Sequence, residues 1–195
     1  MNEQIKLLLE KIQELESGVE SEFEQHRRLF HYTIEKKRVT FEKAIIQRHR
    51  ELRTGVIRFV RESGFINVLF SPVIYFQIVP LLLLDLAVSV YQSIIFPVYG
   101  ITKVPREDFI VVDRHHLPYL NGIEKLNCAF CGYANGLLAY SREIAGRSEE
   151  YWCPIKHARQ TKGQHRRYFG FAEFGDAQGF QKTKTAMSAL NGESE

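Results

Sequence analysis

The stretch "NCAFCGYANGLLAYSREIAGRSEEYWCPIKHAR" holds all three cysteines of the 195-residue chain, Cys128, Cys131 and Cys153, with His157 four residues after the last. Two thiolates separated by two residues can grip one tetrahedral ion when a turn lies between them, and a Cys-x3-His pair presents both ligands on one face of a helix. Gly132, directly after Cys131, would let the chain curl so that backbone amides point at the sulfurs. Three thiolates and one imidazole close the coordination sphere of zinc and leave no position for a reactive water. Cys128, Cys131, Cys153 and His157 therefore read as a structural zinc site. The same donors could hold an iron-sulfur cluster, since a proline follows Cys153. A redox dithiol at Cys128 and Cys131 is the third chemistry, because a helix beginning just after them would favour thiolate. Three buried, inert cysteines beside an unrelated histidine are the ordinary alternative.

The hexapeptide "CAFCGY" resembles a zinc knuckle over those six residues, which implies a Cys-rich metal site and no particular activity. A second group, Asp113, His115 and His116 in "DRHHLPY", could ligate a catalytic metal. Adjacent histidines on an extended strand point to opposite faces, so a surface loop with ordinary hydrogen bonds is the better reading. In "HARQTKGQHRRYFGF" basic and aromatic residues alternate in a way that permits RNA or anionic-lipid contact, but no nucleic-acid module surrounds them. No internal repeat and no nucleotide-binding glycine loop is present. The sequence thus identifies no specific nucleic acid and no small-molecule substrate, and it leans away from an enzyme.

The elements that must position these residues are set by charge and hydropathy. From Ser63 to Thr102 the only formally charged side chain is Asp85. A bilayer core of roughly 30 Å takes about 20 apolar residues in helix, so this gap is a membrane insert. Pro72, Pro80 and Pro97 punctuate it, and Pro80 and Asp85 sit near its midpoint, where a helical hairpin would turn; a single kinked span is the alternative. Arg58 and Arg61 precede the insert, and Lys103 and Arg106 follow it, so both flanks suit the same, cytoplasmic side.

Residues 1–62 lack proline and read as helix almost throughout. Ile5, Leu8, Ile12, Leu15 and Val19 step by 3, 4, 3 and 4, a short coiled-coil seam, and the phase continues through Phe23, Phe30, Ile34, Phe41, Ile45, Leu52, Val56 and Phe59. Met1–Glu24 holds two Lys and seven Glu, while Gln25–Gly64 holds eleven Lys or Arg and four Glu, so the basic half abuts the insert and would be drawn to anionic headgroups. The acidic N-terminus does not read as a secretory signal, and an odd cysteine count fits a reducing compartment.

The expected protein is mainly α. It has an amphipathic or coiled-coil helical region (1–62), a membrane-inserted hairpin or kinked span (63–102), a small α(+β) Cys3His metal-binding domain (103–160) and a flexible tail (161–195). In the third region Phe109–Val112 is β-prone, and the helix after it carries Leu137, Leu138, Ile144 and Ala145 inward. The function this implies is a membrane-anchored scaffold or accessory protein with a structural zinc facing the cytoplasm. The lipid bilayer is one partner, and residues 1–62 supply a protein partner or self-association. The rival is an iron-sulfur or thiol redox subunit at the membrane.

Overall fold

The computed structural model describes residues 3–29, 32–35, 38–41, 43–159 and 161–192, and its fold is mainly helical. By packing, the chain divides into two units: residues 1–77 with 111–133, and residues 78–110 with 134–195.

In the first unit, α1 (Glu3–Leu29) leads into an antiparallel hairpin of β1 (Tyr32–Glu35) and β2 (Arg38–Phe41), in which Ile34 pairs with Val39 and Thr33 with Thr40. The hairpin replaces part of the continuous helix expected over residues 1–62. Its strands are dense in β-branched and aromatic residues, which lose side-chain freedom in a helix and favour a pleated strand. Helix resumes as α2 (Lys43–Glu51) and α3 (Val56–Glu62). Gly64, at φ 81°, makes the left-handed turn into α4 (Phe65–Phe76).

The apolar stretch Phe65–Val98 is long and apolar enough to cross a membrane, and the part of it most suited to doing so is not buried in the protein. It breaks at Gln77, between α4 and α5 (Ile78–Val98), rather than at Pro80 and Asp85, through which α5 runs without interruption. Pro80 explains the position. It lacks the N–H that would bond the carbonyl of Phe76 and its ring crowds that carbonyl, so α4 ends at Phe76, whereas in the first turn of α5 a missing donor costs nothing.

In the second unit α5 ends in a glycine cap: Gly100 has φ 65°, and Ile101 N–H reaches back to the Phe96 carbonyl at 2.8 Å. The chain then returns along the helix through Val104 to a 3-10 turn at Arg106–Asp108. The β-prone run Phe109–Val112 forms no strand. α6 (Gly122–Trp152) contributes Leu137, Tyr140 and Ile144 to the core with Phe96, Val104, Tyr168, Phe171 and Ala172. Leu138 and Ala145, expected inward, face outward. The region expected as a flexible tail carries a 3-10 turn at Arg166–Gly170 and α7 (Ala177–Gly192), and residues 167–172 pack on their own unit. Lys156 N–H donates to the Ala172 carbonyl, and Ala172 N–H to that of Pro154.

Gly136 lies inside α6 because the chain crosses it closely: a Cβ there would sit 2.5 Å from the Phe109 carbonyl oxygen, against 3.2 Å to the Val111 oxygen at Gly132. Helix propensity alone favours Ala at either site by about 1 kcal/mol. Gly136→Ala is expected to lower stability by about 1–3 kcal/mol, because the backbone carbonyl must move. Gly132→Ala is expected to be close to neutral. Chemical denaturation of the two variants in mild detergent measures the difference.

Candidate functional site

α6 begins at a capping box. Asn121 Oδ1 accepts from the backbone N–H groups of Ile123 and Glu124, each at 3.0 Å, and Glu124 Oε2 accepts from Asn121 N–H at 2.8 Å. The helix that starts here runs unbroken to Trp152. Cys128 and Cys131 are therefore inside it, one turn apart on one face, with Cys128 half-buried and Cys131 exposed. Gly132 is helical, not a positive-φ turn residue.

The sequence expects Cys128, Cys131, Cys153 and His157 to share one site; in the structure the first two lie within α6 and the last two follow its end. Cys153 and His157 also lie past the helix, on non-helical chain, so the four-residue spacing no longer places them on a common face. His157 instead stacks on Tyr168, with ring centroids 6.0 Å apart, and its backbone N–H donates to the Tyr168 hydroxyl at 2.7 Å. Among the described residues no three His, Cys, Asp or Glu side chains converge where they could hold an ion. Cys128 lies six residues past the start of α6, rather than just before a helix as the redox reading expects. His115 and His116 sit on a 3-10 turn, Arg114–His116, with rings 3.9 Å apart, rather than on a strand with opposed faces.

The side chains that do converge are polar residues on one face of α5. Asp85, Ser89, Gln92 and then buried Phe96 follow at helical spacing. Asp85 accepts from Ser89 Oγ at 3.3 Å and pairs with Arg106, whose Nη2 lies 2.5 Å from Oδ2 and Nε 3.3 Å from Oδ1. The lone charge of the apolar gap is thus compensated by a two-point ion pair with a side-chain exposure of only 13% at Asp85. Gln92 is buried: its Oε1 accepts from Val104 N–H at 3.0 Å, and its Nε2 donates to the Val104 carbonyl at 3.3 Å and to the Tyr140 hydroxyl. Tyr91 OH reaches Ser148 Oγ at 3.0 Å, and Arg147 donates to the Thr102 carbonyl at 2.6 Å. The opposite face of α5 exposes Leu83, Leu86, Val90, Ile94 and Val98.

α4 is apolar nearly all round. Phe65, Ile66, Val68, Leu69, Phe70, Val73, Ile74 and Phe76 are all exposed, Phe65 by 79%. Its inward contact is Tyr75, whose hydroxyl donates to Asn127 Oδ1 at 2.5 Å and whose ring meets Phe130 edge-on.

A second constellation closes the end of α6. Glu143 accepts from Arg147 at 2.9 Å and Arg167 at 3.3 Å; Arg167 also donates to Glu150 at 2.6 Å, and His165 Nε2 lies 2.9 Å from Glu149 Oε2. The His165 ring packs over Gly146, against Tyr168 and Phe171. His165 and Arg167 of the basic-aromatic run are thus engaged by carboxylates of α6 rather than offered to a nucleic acid.

Two predictions follow from these contacts. Burial alone would raise the Glu143 carboxyl, but Arg147 and Arg167 outweigh it and hold it below its ordinary value of 4.5. A depressed carboxyl stabilises the fold above its unfolded value and loses that contribution as pH falls through the folded one. The stability gap between wild type and Glu143→Gln is therefore expected to be present near neutral pH and to narrow as acidification passes below pH 4.5, as measured by denaturant titration. For the cysteines, any zinc uptake is expected to depend on Cys128 and Cys131 together. Cys153→Ala and His157→Ala should leave its stoichiometry and affinity unchanged, which competition with a chromogenic chelator reads. Comparison of the chain with protein-family models, with curated proteins and with solved structures finds no match.

Proposed function

We propose that this chain is a membrane-attached scaffold or accessory protein, held in one leaflet by α4 and the outer face of α5, with both ends on the cytoplasmic side. The observation that carries this reading is the apolar surface itself. α4 exposes large hydrophobic side chains around nearly its whole circumference, and α5 exposes a leucine-rich face opposite its polar stripe. Contiguous apolar surface of that kind marks a binding or membrane face rather than ordinary solvent exposure.

Depth is argued from length and from the neighbours of α5. The twelve residues of α4 reach about 18 Å, short of a hydrocarbon core of roughly 30 Å. Non-helical backbone carrying Lys103 and Arg106 lies against α5 as far back as Asp85, and open polar backbone of this kind is not tolerated in hydrocarbon unless protein covers it. An interfacial seat lets the leucine face enter lipid while the Gln92 face stays on protein. Exposed cations of α2 and α3, among them Arg48, Arg50, Arg58 and Arg61, are suited to anionic headgroups at about 1 kcal/mol each.

Reporter fusions at Met1 and at Glu195 are expected to lie on the same, cytoplasmic face. The full chain should also resist carbonate extraction, whereas a variant lacking residues 65–101 should not. Termini on opposite faces would replace the one-leaflet seat by a single crossing, and a carbonate-soluble full chain would remove the membrane from the account.

A further inference from the structure

We infer that α1 binds the α1 of a second copy of this chain, side by side, parallel and in register. The inference rests on reading the N-terminal region as the association element, and it names the partner and the geometry. Leu8, Ile12, Leu15 and Val19 lie on one side of α1 and are exposed by 58, 46, 63 and 54%. Assigning them to a heptad places Ile5, Ile12 and Val19 at position a, with Leu8 and Leu15 at d. β-branched residues at a with leucine at d are the combination that favours two parallel strands over three or four.

Charge agrees with that choice. In this register Lys11 occupies g and Glu16 the following e, the two positions that face each other between parallel partners, so a dimer gains the Lys11–Glu16 pair twice by symmetry. An antiparallel pair sets g beside g and e beside e, and Lys11 then loses Glu16. The seam covers little more than two heptads, which is short for a free coiled coil. Two copies seated on one membrane surface, with their α1 helices starting from the same side, raise the effective concentration that a short parallel seam needs.

The test uses the full chain in native membranes, with Cys128, Cys131 and Cys153 replaced by serine and either Leu8→Cys or Leu15→Cys added. Mild oxidation of each single variant is expected to give a band near twice 22.7 kDa. Linkage only when the two variants are mixed would show an antiparallel pair and overturn the proposal. Absence of any link in a preparation that still pellets with membranes would overturn self-pairing while leaving the membrane reading intact. Cross-linking to a different mass would assign the seam to another protein, and would likewise overturn it. Linked dimers in a chain that fails to pellet would support the pair and sink the anchor instead. With the native cysteines kept, Lys11→Glu and Glu16→Lys are each expected to weaken dimerisation roughly threefold in detergent, and the double swap to restore it.

Discussion

Gln92 is the contact on which the second unit depends. A single amide satisfies both backbone groups of Val104 and the hydroxyl of Tyr140, so one side chain fastens α5, the returning chain and α6 together in a place without water. The arrangement is costly to disturb, because a buried N–H or C=O left without a partner costs about 1–3 kcal/mol. Phe96 lies one turn further along α5 and is fully buried, and Leu137 and Ile144 bracket Tyr140 on α6, so apolar packing surrounds the polar knot on both helices. The Asp85–Arg106 pair extends the same fastening toward the start of α5.

This fastening gives α5 two different faces. Toward Gln92 the helix is committed to protein; away from it, leucine, valine and isoleucine have no protein cover of comparable depth. At about 25 cal/mol per Å² of apolar area, the exposed large side chains of α5, and separately the eight of α4, are each favoured to leave water for an apolar medium. Function, on this account, follows from division of labour along the chain. In the proposed function the apolar helices find the membrane, and in the further inference α1 supplies an association seam.

Much of this was legible in the sequence. The gap with Asp85 as its single charge locates the apolar helices, and the steps of 3 and 4 from Ile5 to Val19 fall within α1. The hairpin was missed because Phe30, Ile34 and Phe41 fitted a helical phase, although "YTIE" and "RVTF" have strand composition. The local setting of Cys128 and Cys131 differs from the turn that their spacing suggests. CxxC spacing and Gly132 suggest a turn, while Asn121 and Glu124, three positions along, already spell a helix start whose continuation carries both thiols. A CxxC pair on a helix is two neighbours on one face; it becomes half of a tetrahedral site only if the chain turns back with the other half. The polar stripe Asp85, Ser89, Gln92 was also readable, since polar residues at helical spacing in an otherwise apolar helix mark the side that faces protein. What spacing could not reveal is the return of residues 165–172 onto α6, because ion pairs such as Arg167 with Glu143 join positions distant in sequence.

The most direct test of the two-faced α5 is a nitroxide scan along it in lipid vesicles, with accessibility to oxygen and to a water-soluble relaxation agent measured at each position. Labels at Leu83, Leu86, Val90 and Ile94 are expected to favour oxygen strongly, as lipid contact requires, while labels at Val88 and Ile95, on the partly covered side, should be poorly accessible to both. Accessibility of Leu83, Leu86, Val90 and Ile94 to the aqueous agent would contradict the account, for it would place the apolar face in water.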